Sequence, residues 1–139
     1  MPQALKLRAR DAEDLAVLST VLQDALVPVE DMAFLPDERR FVLVANRFRW
    51  EPGETPPKRF ERTLSGLCFE DVQRAERRGF SPQRGERILA LLALRADGPA
   101  LRLDFAQGCS IRLEVERIDC RLEDLGEPWP TRWRPCHPA

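Results

Sequence analysis

Four cysteines, one histidine and a scatter of carboxylates are the residues of this chain with reactive chemistry to offer. Their spacing limits what they can do. Cys68, Cys109, Cys120 and Cys136 lie 41, 11 and 16 positions apart, and His137 stands beside Cys136. A structural zinc site wants thiolates paired across a tight turn, about two to four residues apart. No such pair exists, so the thiols read as separate residues and no metal or other cofactor is implied. Cys109 lies between Gly108 and Ser110, a turn setting that would expose a thiol and offer its thiolate backbone amides. It is the candidate nucleophile, and His137 the candidate base. For the two to meet, the C-terminal residues must fold back across the molecule.

Glu30-Asp31, Glu70-Asp71 and Glu123-Asp124 are adjacent acid pairs. Neighbours on a strand point to opposite faces, so none makes a general acid–base dyad by itself, and all read as solvated charge. Arg47, Arg49 and Arg59 flank Phe48, Trp50 and Phe60, a mixture that can stack bases and hold phosphates. Alternation nevertheless puts the arginines at 47 and 49 on one face and the aromatics at 48 and 50 on the other. That is how an ordinary half-buried strand looks, and nucleic acid is not the expected partner. Trp129, Arg132 and Trp133 sit in a tail with four prolines. Large aromatics there either anchor the tail on its own domain or dock a partner protein; docking against the domain is the expectation. No Gly-rich phosphate loop, dinucleotide fingerprint or hydrolase elbow is present.

At 139 residues the chain has the length of one domain that buries roughly two thirds of its unfolded surface. The formal net charge is −1 with acids and bases interleaved, which argues against a coat for nucleic acid or anionic membrane. Twenty of the 22 basic residues are arginine, which reads as the bias of a GC-rich genome; the other reading, forks selected for phosphate or carboxylate, has no clustering in the sequence to support it. No signal peptide opens the chain, and no apolar run approaches the ~18–20 residues of a membrane span. Reduced thiols in a cytoplasm are the expected state.

The elements that must position these groups are legible from periodicity. Lys6 to Arg10 suits a short edge strand. Asp11 caps a helix whose stripe, Leu15, Leu18, Leu22 and Leu26, has helical spacing and which Pro28 ends. Val29–Leu35 and Phe41–Trp50 read as strands joined by a turn at 36–39. Glu51–Lys58 is a loop. Phe60–Val72 is a strand with a bulge near Ser65-Gly66, and Arg74–Arg87 fades from strand end into loop. Ile88–Leu94, with no polar residue, reads as a central strand covered on both faces. Leu101, Leu103 and Phe105 alternate with polar residues, as do Ile111, Leu113 and Val115. Pairing Leu94 with Leu101 leaves a four-residue loop, Ala96–Pro99. Keeping Phe105 and Ile111 on one face demands an odd loop between them. Asp119–Leu125 predicts two helical turns, capped by Gly126 and stopped by Pro128.

Asp31-Met32-Ala33, Arg40-Phe41, Asn46-Arg47-Phe48 with Trp50, and Asp124-Leu125-Gly126 occur in an order that resembles an uncharacterised, mainly proteobacterial family, a domain of unknown function, along nearly the whole chain. The resemblance implies a cytosolic bacterial protein and brings no activity or catalytic residue with it.

The fold expected is α+β: a single domain over 1–126 with a docked tail over 127–139, built on a strongly twisted antiparallel sheet of about six or seven strands. It carries an N-terminal helix and a short C-terminal one. A pleckstrin-homology-like barrel is the alternative. The function expected is a non-catalytic cytosolic binding or adaptor module, its partner another protein or a second copy. A small enzyme with a site around Cys109 or the acids is the alternative.

Overall fold

The structure, a computed structural model, describes residues 5–48, 61–81, 87–125 and 129–130. In chain order its elements are β1 (Lys6–Ala9), α1 (Ala12–Val21), β2 (Leu26–Pro28), β3 (Met32–Leu35), β4 (Arg40–Phe48), β5 (Glu61–Phe69), β6 (Val72–Arg78), β7 (Ile88–Asp97), β8 (Ala100–Phe105), β9 (Ser110–Val115), β10 (Cys120–Asp124) and β11 (Trp129–Pro130). The strands form one antiparallel sheet ordered β1-β10-β5-β4-β2-β7-β8-β9-β6, with β3 beside β4 and β11 beside β5. Eleven strands among the described residues exceed the six or seven expected. The surplus comes from short pieces such as β2 and β11, which no periodicity can announce. No ladder joins the end strands β1 and β6, so the sheet is open and the closed-barrel alternative does not describe it.

Asp11 caps α1 as its sequence requires: its carboxylate accepts from the Asp14 amide at 2.8 Å, while Asp14 accepts from the amide of Arg10, the residue before the cap, at 3.0 Å. Leu15, Leu18 and Leu22 bury against the sheet, and Ser19 Oγ accepts from the Leu94 amide of β7 at 3.0 Å. The helix stops earlier than Leu26. Asp24 turns left-handed (φ 67°), a conformation Asp tolerates, and its amide bonds the Leu91 carbonyl at 2.8 Å. Residues 26–28 then fill the gap between β4 and β7.

Other expectations are corrected. Asp119–Leu125 is not helical. Its Cys120, Leu122 and Asp124 point inward and Arg121 and Glu123 outward, and the segment pairs with β1 and β5. Five residues satisfy either periodicity, and two waiting sheet edges decide. Ile88–Leu94 is covered on one face only: Ile88 and Leu92 are 54% and 48% exposed, and a bulge at Leu91/Ala93 shifts Leu94 onto the buried side. The following hairpin pairs Asp97 with Ala100, so its loop is only Gly98-Pro99. Gly98 supplies φ +62° and proline a negative φ, the signs of a II′ turn. The donor that closes such a turn is the amide of Ala100, so proline's missing amide is no obstacle.

β6 runs from Val72 through Arg78 and then gives way to loop over 79–81, as expected; as an edge strand it can carry charge on the side that water reaches. β5 pairs with β4 in unbroken register, so no bulge occurs at Ser65-Gly66. The Phe105 amide bonds the Cys109 carbonyl at 2.8 Å, so three residues, 106–108, lie between these facing positions, the odd number that parity demands, and Phe105, Cys109 and Ile111 stay on the core side.

A candidate docking groove and the ion clusters that frame it

β4, β5 and β10 lie side by side, and alternation gives them two different faces. Inward, Phe41, Leu43, Leu67, Phe69, Cys120 and Leu122 join the core, with the Phe41 and Phe69 rings 6.3 Å apart. Outward, Val42, Val44, Gly66 and Cys68 form the floor of an open groove of about 350 Å³, bounded by Asp31 on one side and by Arg121, Glu123 and Leu125 on the other. Leu125, 49% exposed, lies over Gly66, where an added Cβ would meet its Cδ1 at 3.4 Å. The leucine is held there by its amide, which donates to the Leu64 carbonyl at 2.7 Å.

Beyond Cys68 the same face carries an ion cluster. Glu70 accepts from Arg40 Nε at 3.0 Å and from Arg121 Nη2. Burial would raise the Glu70 carboxyl, but the hydrogen bonds from Arg40, Arg121 and Cys68 hold it below the usual carboxylate range. The Cys68 thiol points at Glu70 Oε2, 3.5 Å away, and burial followed by that carboxylate pushes its pKa up. The thiol nearest the groove is thus kept protonated.

At the opposite end of the inner face lies a buried polar cluster. Arg47 Nη2 donates to Asp124 Oδ2 at 2.8 Å and Oδ1 at 3.0 Å. Arg47 Nε also donates to Ser65 Oγ at 3.0 Å, and Ser65 Oγ to Asp124 Oδ1 at 2.6 Å. The Leu5 amide donates to Asp124 Oδ2 at 2.9 Å. The Arg47 and Asp124 side chains are only 4% and 3% exposed. Burial would raise the Asp124 carboxyl, but hydrogen bonds from Arg47, Leu5 and Ser65 outweigh it and hold the pKa down. Neither residue is solvated charge, contrary to the reading of the acid pairs. The cluster fastens β4, β5, β10 and the chain ahead of β1, with the donors and acceptors of its ion pair matched among themselves.

Cys109 is 2% exposed, so its turn does not offer the sulfur to solvent. Left-handed Gln107 and Gly108 turn the thiol onto the core side, where Sγ lies 3.5 Å from the Gly79 carbonyl. Cys120 is fully buried, and burial raises its thiol pKa strongly. Trp129 is in β11, its backbone opposite Arg62 of β5. Arg132, Trp133 and His137 lie outside the described residues, as do Arg49, Trp50, Arg59 and Phe60. Phe48 is instead met by Arg62, whose guanidinium carbon lies 3.6 Å from the ring centroid and whose Nη1 donates to the Asn46 carbonyl at 2.8 Å. Among the described residues no group of three or more His, Cys, Asp or Glu is placed to hold a metal ion, and no helix is long and apolar enough to cross a membrane.

Sequence reasoning missed the groove and both ion clusters. Each joins residues far apart in the chain, and the one local signal was the inward parity of Arg47 and Asp124. Fold and site together define a mixed α+β protein: one helix on a large, open antiparallel sheet with a groove on its outer face. Residues 5–137 match the family described as protein of unknown function (DUF2948), and the chain belongs to that family. Neither the curated proteins nor the solved structures contain a match.

Proposed function

We propose that this protein is a non-catalytic binding module of the bacterial cytoplasm, whose outer-face groove receives an extended segment of a partner protein. The observation that carries this reading is the groove: a floor of Val42, Val44 and Gly66 with Arg121 and Glu123 at its margin. An extended chain laid there buries apolar side chains on the floor while the marginal ions orient its polar groups. The groove's open shape suits a chain better than an enclosed small molecule. The end strands favour the face over the edges, because Lys6 and Arg8 on β1 and Arg74, Glu76 and Arg78 on β6 discourage the addition of a further strand. Free thiols at Cys68, Cys109 and Cys120 suit a reducing compartment.

The test is affinity purification from native cells with the wild-type protein and with Val44→Glu, a substitution on the half-buried groove floor. A partner held by the first and lost by the second, at equal melting temperature, supports the reading. An unchanged set of partners, or none, overturns it.

A further inference from the structure

Where β6 ends, a group of cations has no acid within ion-pair distance among the described residues. Ten of the fifteen described arginines have a carboxylate within ion-pair distance; Arg77, Arg78 and Arg87 have none among the described residues. Their backbones are neighbours, although Arg77 and Arg78, successive on a strand, point to opposite faces. Arg77 and Arg78 close β6, Gly79 follows, and Arg87 Nη1 donates to the Gly79 carbonyl at 3.0 Å. Arg87 Nη2 donates to Gln107 Oε1 at 3.3 Å, which fixes it against the β8–β9 turn.

Arg77 stands out within the group. It pairs with Ile111, a core residue, so its side chain points inward. Its guanidinium faces the Phe41 ring, 5.8 Å from the centroid, and its Nε is sealed from solvent with no hydrogen-bond partner. Burial lowers its pKa, and no carboxylate offsets that. The acids nearest in the ladder, Glu76 and Glu114, belong to the other face, where Glu76 binds Arg74 and Glu114 binds Arg112. Arg77 is partly buried, and its sealed, unsatisfied Nε donor calls for a physical cause.

We propose that this corner is an oxyanion-binding site, taking a phosphate or carboxylate group, with Arg77 as the principal contact. Arg87, held beside Gly79 and Gln107, adds to the field that draws the anion in, while Arg78, one position on along the strand, faces the other way. A guanidinium presents a planar fork of donors that fits two oxygens of either group, and the inward setting of Arg77 shields the contact from water.

The experiment follows thermal unfolding with inorganic phosphate, acetate or chloride at matched ionic strength. The expected result is a midpoint raised by millimolar phosphate or acetate above the chloride control, with the stronger anion identifying the group. Arg77→Gln should abolish that increment and Arg87→Gln should weaken the apparent affinity several-fold. Arg10→Gln, at an exposed arginine on the far side of the strand order, should leave it intact. Equal effects of all three salts overturn the proposal, as does an Arg10→Gln loss equal to that of Arg77→Gln. Should Arg77→Gln fail to fold, Arg77→Lys decides: it keeps the charge and loses the fork, so unchanged affinity also overturns the proposal.

Discussion

Arg47 and Asp124 neutralise each other out of reach of water, and removing either leaves a charge stranded among core groups. Arg47→Met should therefore cost about 3–5 kcal/mol in urea unfolding. Pairing it with Asp124→Leu should recover much of that loss, because two apolar side chains leave no stranded ion. A double variant as unstable as the sum of its parts would refute the assignment. The pair also sets an acid response. The Asp124 carboxyl titrates lower in the native state than in the unfolded chain. Its contribution is thus complete above the unfolded value of about 4 and is lost as pH falls through the folded one. Glu70, Asp104 and Asp119 shift the same way. Stability should fall on acidification below about pH 4, and Asp124→Asn should flatten that limb. Thiol labelling gives a third outcome at this scale. Cys68, half-buried on the outer face, should react with an aromatic disulfide reagent before buried Cys109 and Cys120; peptide mapping that shows Cys109 first would contradict its inward placement.

Among elements, two glycine turns separate conformational strain from lack of room. Gly98 has φ +62° with open space where a Cβ would go, so Gly98→Ala should cost about 1–2 kcal/mol from backbone conformation alone. Gly79 has φ +87°, and a Cβ there would lie 2.8 Å from the Gly108 carbonyl oxygen. Gly79→Ala should cost more, about 2–4 kcal/mol, because two backbones must separate as well. Equal losses in urea unfolding would place Gly79 and the β8–β9 turn further apart than the structure does. The same close approach accounts for the seating of Cys109, whose sulfur would lie 3.2 Å from that added Cβ.

For the whole molecule, the sheet's outer face divides in two. Over β8, β9 and β6 it is ionic, with Asp104 bridging Arg95 and Arg102, and Arg112 held by Asp97 and Glu114. Over β2, β4, β5 and the start of β7 it carries Leu26, Val42, Val44, Leu64 and the exposed Ile88. β11 adds a last pair of residues to the edge of β5. Deleting residues 127–139 removes those backbone bonds and should lower the melting temperature by several degrees. An unchanged value in a calorimetric scan would show that β11 contributes nothing to the fold.

The sequence by itself determined the elements whose reasons are local. Asp11 and the leucine spacing specify α1, the polar 36–39 stretch specifies the β3–β4 turn, and parity specifies the odd β8–β9 loop. These follow from side-chain periodicity and capping within a few residues. Only the tertiary structure decided whether residues 120–124 are strand or helix, where α1 stops, and which face of β7 meets water. In each case the local pattern fits two conformations, and a sheet edge far along the chain supplies the hydrogen bonds that choose. The groove, the Arg47–Ser65–Asp124 cluster and the unpaired arginines at the end of β6 belong to the same class. Each exists because strand order brings distant residues to one face, and spacing along the chain carries no record of that order.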